Sequence, residues 1–147
     1  MKILFICKYN RFRSRIAEAY FRKINKNKKI ISGSAGIFQG SYPLDRTQVR
    51  VAKELGINIE GKPRAISTDL LRNIDLIIIV ANDVPESLFS SKNRKIIKWN
   101  ISDVRKGREE KEDRKVIIKI MKKVDKLNKK LESTARCTPN YRIRGQK

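Results

Sequence analysis

The residues best suited to chemistry stand in one short stretch near the start of the chain, Cys7 to Ser14. Cysteine is a nucleophile in its thiolate form, and the guanidinium of Arg13 can bind two phosphate oxygens at once. Each residue alone is common in ordinary structural roles. Their spacing, directly after an apolar run and directly before a helical pattern, predicts a phosphate-binding loop that carries a nucleophile.

The loop itself is predicted to bind phosphate through its backbone. N–H groups of residues 8–13 can surround an anion, and the positive end of the following helix lies beneath it. The same field favours Cys7 as a thiolate. The predicted phosphate loop consists of Lys8, Tyr9, Asn10, Arg11, Phe12 and Arg13.

Apolar runs that alternate with helical patterns must position this loop. They predict strands at 2–6, 29–32, 74–80 and 95–99, helices at 14–25, 45–56 and 109–131, short helices after Ser67 and at 84–89, and a loop over 33–44. This order predicts an α/β fold: a single three-layer domain with a four-stranded parallel sheet and helices on both faces. Residues 1–133 are predicted to form the domain, and residues 134–147 a flexible basic tail.

The composition narrows the chemistry. The chain of 147 residues has no histidine, which excludes a histidine base or ligand, and its two cysteines, Cys7 and Cys137, form no metal-binding spacing. We therefore expect no metal and no cofactor.

The first apolar run is too short for a signal peptide or a membrane span, so a cytoplasmic protein is expected. A net charge of +21 is typical of a protein that attracts anions, although a solvated basic surface explains it equally well.

The opening sequence ILFICKYNRFRSRIAEAYF resembles that of the low-molecular-weight protein tyrosine phosphatase family, within the arsenate reductase-like superfamily. That family begins with an apolar strand and the pattern C-x-G-N-x-C-R-S-x-x-A-E. The resemblance implies hydrolysis of phosphomonoesters, with protein phosphotyrosine as the substrate, through a phosphocysteine intermediate. The matching positions are Cys7, Asn10, Arg13, Ser14, Ala17 and Glu18, followed by Ser34-Ala35-Gly36, Gly40, Pro43 and Asp45.

The resemblance also implies roles for residues outside the loop. Asn10, Ser14 and Ser34 match residues that support the loop by hydrogen bonds. The general acid of the family is an Asp in a D-P pair after the last strand, and Asp103 stands there, followed by Val104. Phe38 or Tyr42 is expected to form a wall for an aryl ring.

Three departures from the family pattern stand out. Tyr9 replaces the usual glycine, and no histidine stands near Gly61 or Lys62. Phe12 replaces a second cysteine that can pair with the nucleophile in the family. This protein should therefore lack the protective disulfide at the loop, which leaves Cys7 open to further oxidation. We expect thiol mapping after mild peroxide treatment to find no intramolecular disulfide unless Cys137 can reach Cys7.

Four functions remain open at this stage. The leading one is a cysteine-dependent phosphatase acting on a phosphorylated protein or a small aryl phosphate. Arsenate reduction needs two more cysteines near the end of the central strand, where IIIVANDVPESLF has none. A phosphatase of RNA polymerase tails shares the C-x-x-N-x-x-R-S loop. A non-catalytic relative that binds phosphate or nucleic acid would use the positive charge, although no nucleic-acid motif is present. The oligomeric state is left open.

Overall fold

A computed structural model describes residues 1–91, 94–105 and 107–145, with side chains through Thr134. Within these ranges, four strands form one parallel sheet in the order β2-β1-β3-β4. The strands are β1 (Lys2–Cys7), β2 (Ile31–Gly36), β3 (Leu76–Val80) and β4 (Lys95–Trp99). The helices are α1 (Arg13–Ile24), α2 (Arg46–Glu54), α3 (Thr68–Leu71) and α4 (Glu110–Gly145), with a 3₁₀ turn at Glu86–Phe89. The α/β fold with a four-stranded parallel sheet is thus confirmed.

The sheet is covered on both faces, and its two central strands are apolar and buried apart from the exposed Lys2 at the start of β1. Successive side chains of a strand point to opposite faces, so β1 and β3 each supply two sets of core residues. One core layer holds Ile3, Phe5, Ile78 and Val80 with residues of α1, α2 and α4. The other holds Leu4, Ile6, Ile77 and Ile79, with Phe89 of the 3₁₀ turn and partly buried Leu70 and Leu71 of α3.

Strand β2 differs from the sequence-based expectation. A strand over 29–32 and a loop from Gly33 were predicted, whereas β2 begins at Ile31 and continues through Gly36. Glycine and serine have weak strand propensity, but pairing with β1 overrides it, from Lys2 with Ile31 to Cys7 with Gly36. Ser34 is therefore held in the sheet, in register with Phe5.

Helix ends follow the predicted caps. Asp45 accepts a hydrogen bond from the Gln48 backbone at 3.0 Å, and Ser67 accepts one from the Leu70 backbone at 3.1 Å. The backbone of α4 remains helical to Gly145, beyond the predicted end near Leu131, because the apolar pattern reports packing against the core rather than helicity. The domain boundary at residue 133 and the flexible tail stay predictions, since side chains beyond Thr134, including that of Cys137, lie outside the described part.

Candidate active site

The phosphate loop lies at the carboxyl edge of the sheet, between the end of β1 and the start of α1. Cys7 is the last residue of β1 and is 3% exposed. Arg13 opens α1, and no side chain caps that helix at Phe12, so its first N–H groups face the loop. Asn10 adopts a φ of 57°, a left-handed conformation that asparagine tolerates better than most residues. The loop can thus turn its backbone around an anion.

A buried network of polar side chains joins the loop to β2. Cys7 Sγ lies 3.0 Å from Ser14 Oγ. Asn10 Nδ2 donates to Ser14 Oγ at 2.9 Å and to Ser34 Oγ at 3.0 Å. The three residues proposed as loop support therefore meet around one amide, next to the candidate nucleophile. Buried polar groups satisfied in this way hold a loop in a single conformation.

Arg13 is a buried cation whose guanidinium is held by three partners. Its side chain is 2% exposed, and Nη1 donates to the Ile101 carbonyl at 2.9 Å. The same Nη1 lies 3.2 Å from Asp83 Oδ1, and Nη2 lies 3.7 Å from Asp103 Oδ2. A charge buried this deeply needs such partners, and they also fix the orientation of the guanidinium.

Cys7, Arg13 and Asp103 share one cavity of about 180 Å³. Asp103 is the accessible carboxylate of this group, with 51% of its side chain exposed, and its Oδ1 accepts the Val104 N–H at 2.9 Å. A candidate nucleophile, a guanidinium that can bind phosphate and a carboxyl group thus face the same space. The other lining residues are Tyr9, Arg11, Phe12, Asp45, Gln48, Val104, Arg105 and Arg108.

The apolar walls of this cavity differ from those expected. Tyr9 and Val104 line it, whereas Phe38 and Tyr42 do not. Phe38 packs instead against Tyr9, with ring centroids 5.9 Å apart, and Tyr42 lines a separate groove. The physical reason is that Arg11 donates to the carbonyls of Ser41 (3.1 Å) and Pro43 (3.2 Å), which ties the backbone around Tyr42 to the side of the loop.

Two neighbours of the site were not predicted. Asp83 follows β3 at the carboxyl edge of the sheet, where ligands of parallel sheets bind, so its position could have been inferred. Arg15 left no such signal, because an arginine in the first turn of a helix is unremarkable in sequence.

In the described ranges, no group of three His, Cys, Asp or Glu side chains could hold a metal ion. Within the same ranges, every helix is too short or too polar to span a membrane.

Fold and site together define a protein with a cysteine-centred loop at the carboxyl edge of a four-stranded parallel sheet. Comparison with protein-family models agrees, since the model for low molecular weight phosphotyrosine protein phosphatases matches residues 2–136. The chain belongs to this family.

Solved structures with the same fold carry several activities. A low molecular weight protein tyrosine phosphatase from T. tengcongensis is 25% identical, with a TM-score of 0.74 over 88% of this chain and 99% of that one. An arsenate reductase from Archaeoglobus fulgidus is 28% identical, with a TM-score of 0.69 over 86% and 98%. The YwlE arginine phosphatase from Geobacillus stearothermophilus has a TM-score of 0.77 over 90% and 94%, but its 20% identity indicates the fold alone.

Proposed function

We propose that this protein hydrolyses phosphomonoesters through a phosphocysteine intermediate, with aryl phosphates, and phosphotyrosine in proteins, as its substrates. The observation that carries this proposal is the shared cavity of Cys7, Arg13 and Asp103. Family membership supports the phosphatase chemistry. Tyr9 and Val104 support the aryl preference, because they give the cavity apolar walls on which a ring can pack.

In the first step, the Cys7 thiolate attacks phosphorus in line with the leaving group. The phosphorus–oxygen bond breaks, its electron pair goes to the leaving oxygen, and Asp103 donates its carboxyl proton to that oxygen. Arg13 and the loop N–H groups stabilise the charge on the equatorial oxygens. In the second step, water attacks phosphorus, Asp103 takes its proton, and the thiolate of Cys7 leaves.

Hydrolysis of p-nitrophenyl phosphate without added metal tests the proposal. The chain contains only two cysteines, so Cys137→Ser is a matched control for Cys7→Ser. We expect wild type and Cys137→Ser to turn over alike and Cys7→Ser to lose at least about a thousandfold. A folded wild type that binds vanadate without turnover would replace this proposal with a non-catalytic phosphate-binding role.

The leaving-group preference is tested with peptides carrying phosphotyrosine, phosphoserine or phosphoarginine. Faster release of phosphate from phosphotyrosine supports the aryl preference, and equal rates would contradict it. Arsenate reduction is a less favoured function, because Cys137 is the only second thiol available for a relay. Arsenate-dependent oxidation of reduced thioredoxin by wild type but not by Cys137→Ser would establish it.

A further inference from the structure

Arg15 lies behind the phosphate loop and joins it to a distant segment. Its side chain leaves the first turn of α1, where its Nε donates to the Ile59 carbonyl at 2.8 Å and its Nη1 to the Lys62 carbonyl at 3.2 Å. The same Nη1 donates to Asn10 Oδ1 at 3.3 Å. A Cβ atom on Gly61 would lie only 2.8 Å from Arg15 Nη2, so the 59–62 segment is wrapped closely around the guanidinium.

These contacts determine which way the Asn10 amide faces. Asn10 is 1% exposed, and its Oδ1 accepts from Arg15 Nη1 and from the Arg64 backbone N–H at 3.0 Å. A guanidinium and a backbone N–H are donors only, so the atom that faces them must be the amide oxygen. The amide nitrogen is thereby directed at the hydroxyls of Ser14 and Ser34.

The orientation of the amide sets the direction of the hydroxyl protons. Ser14 Oγ accepts from Asn10, which leaves its own proton for Cys7 Sγ at 3.0 Å. Ser34 Oγ likewise accepts from Asn10 and donates to Glu18 Oε1 at 2.5 Å. A hydroxyl that donates to sulfur favours the thiolate over the thiol. A reversed amide would accept the Ser14 proton and withdraw it from Cys7.

Charges around Arg15 come from several elements. Burial lowers the pKa of its guanidinium, while the negative charges of Glu18 on α1 and Cys7 on β1 act in the opposite direction. The neighbouring cation Arg64 lowers the pKa and Tyr42 raises it. Arg15 therefore places a half-buried positive charge within electrostatic range of the candidate nucleophile.

We propose that Arg15 is a positioning residue of the site: it fixes the Asn10 amide so that Ser14 donates to Cys7, and it anchors the 59–62 segment to the phosphate loop. The family pattern given above specifies no residue at the position of Arg15. The inference rests on the proposed role of Cys7 as the nucleophile. Its test measures thiol reactivity rather than hydrolysis, so the inference can fail or hold independently of the phosphatase proposal.

The experiment follows alkylation of Cys7 by iodoacetamide across pH, in a Cys137→Ser background that leaves one thiol. Arg15→Met is compared with Arg15→Lys and with Arg22→Met. Arg22 is a matched control on the same helix: its side chain is 63% exposed, pairs with Glu18 at 2.8 Å and donates to the Ser32 carbonyl at 2.9 Å, which lies outside the phosphate loop. We expect Arg15→Met to slow alkylation at mildly acidic pH roughly tenfold and to move the pH midpoint upward, because a charge-assisted hydrogen bond is lost. The alkylation rate of Arg15→Lys should lie between those of Arg15→Met and the Cys137→Ser background. The rate of Arg22→Met should match the background.

A double-mutant cycle with Ser14→Ala separates positioning from a general loss of structure. If Arg15 acts through Ser14, Arg15→Met should add little to the effect of Ser14→Ala. An unchanged alkylation profile in Arg15→Met, or a full second shift in the Ser14→Ala background, would overturn the proposal. If circular dichroism shows that Arg15→Met does not fold, the same double-mutant cycle with Arg15→Lys tests the proposal.

Discussion

At the scale of single residues, two carboxylates contact the guanidinium of Arg13 from different surroundings. Asp83 Oδ1 lies 3.2 Å from Nη1, whereas Asp103 Oδ2 lies 3.7 Å from Nη2. Of the two, Asp103 lines the cavity above Cys7. The geometry therefore favours Asp103 as the proton donor and Asp83 as the residue that orients Arg13.

These two roles predict that variants of Asp103 and Asp83 depend differently on the leaving group of the substrate. Asp103→Asn should slow hydrolysis of phenyl phosphate by about a hundredfold or more, because its poor leaving group needs a proton. The loss should be much smaller for p-nitrophenyl phosphate, whose phenolate leaves readily. Asp83→Asn, the matched control, should slow both substrates by the same factor. Steady-state kinetics with the two esters decide the matter, and equal losses for Asp103→Asn would remove it from proton transfer.

At the scale of elements, the extension of β2 gives the phosphate loop its support. Beyond the last ladder pair, Ile37 N–H donates to the Cys7 carbonyl at 3.1 Å and Phe38 N–H to the Lys8 carbonyl at 3.0 Å. The end of β2 thus continues as a backbone brace under the loop. Gly36 lies at the centre of this close approach, since a Cβ there would lie 2.6 Å from the backbone carbon of Tyr9.

Gly36→Ala should therefore displace the loop and lower kcat/KM by about tenfold or more, because misplacement of about 1 Å in an active site carries a large cost. Gly33→Ala, in the same strand, is the matched control. Its Cβ would lie 2.8 Å from the flexible end of the Arg64 side chain and 3.8 Å from Leu4 Cδ1, and it would meet no backbone atom within 4 Å. Hydrolysis of p-nitrophenyl phosphate by the two variants measures the effect. Equal activity in both would mean that the loop does not depend on this contact.

Helix α2 is attached to the rest of the site by the charge of its cap. Asp45 accepts from the Gln48 backbone, and its Oδ2 lies 3.1 Å from Arg108 Nη2. Burial raises the pKa of Asp45, but the hydrogen bonds from Gln48 and Arg108 outweigh it and hold that pKa below the ordinary value of 3.8. Because the lowered pKa belongs to the folded state, this stabilisation is present above the ordinary value. It is lost as the pH falls through the lowered pKa.

Two substitutions separate the cap from the charge. Asp45→Ala should lower the free energy of unfolding at neutral pH by about 1 kcal/mol or more, because the N-cap is lost. Asp45→Asn keeps a good cap and loses only the charge. Its free energy of unfolding should therefore approach that of wild type as the pH falls below the ordinary pKa of aspartate. Urea unfolding at neutral and acid pH measures both. A deficit of Asp45→Asn that grows on acidification would contradict the sign of the shift.

At the scale of the whole molecule, the candidate site belongs to a strongly positively charged protein. Lys and Arg number 36 against 15 acidic residues. Besides Arg13, the cavity is lined by Arg11, Arg105 and Arg108. Arg105 is 86% exposed, so its field reaches approaching substrates and is screened by salt. The molecule should therefore attract anionic substrates before any specific contact forms.

A pair of phosphotyrosine peptides, one flanked by Glu and one by Lys, tests this field. We expect kcat/KM for the acidic peptide to fall about tenfold between about 0.01 M and 0.15 M salt, because screening weakens steering. The basic peptide should show a flat or opposite dependence. The same salt dependence for both peptides would show that the net charge has no part in substrate capture.

Much of this fold was predictable because its signals are local. The apolar runs of β1 and β3 and the apolar spacing of α4 report burial directly, and the caps at Asp45 and Ser67 are short-range hydrogen bonds. The end of β2 was not predictable in the same way. Its residues Ser-Ala-Gly read as a loop, and only the neighbouring β1 makes them a strand.

The residues of the candidate site also fall into two groups, those that local sequence determined and those that tertiary structure placed. Cys7 and Arg13 belong to one contiguous loop, so their types and spacing alone determined the phosphate-binding chemistry that we propose. The family resemblance indicated Ser34 and Asp103, but tertiary structure decided how they reach that loop, brought Asp83 beside them, and made Tyr9 rather than Tyr42 a wall. The physical reason is that strand order and register set these approaches, and both arise from packing between segments far apart in the chain.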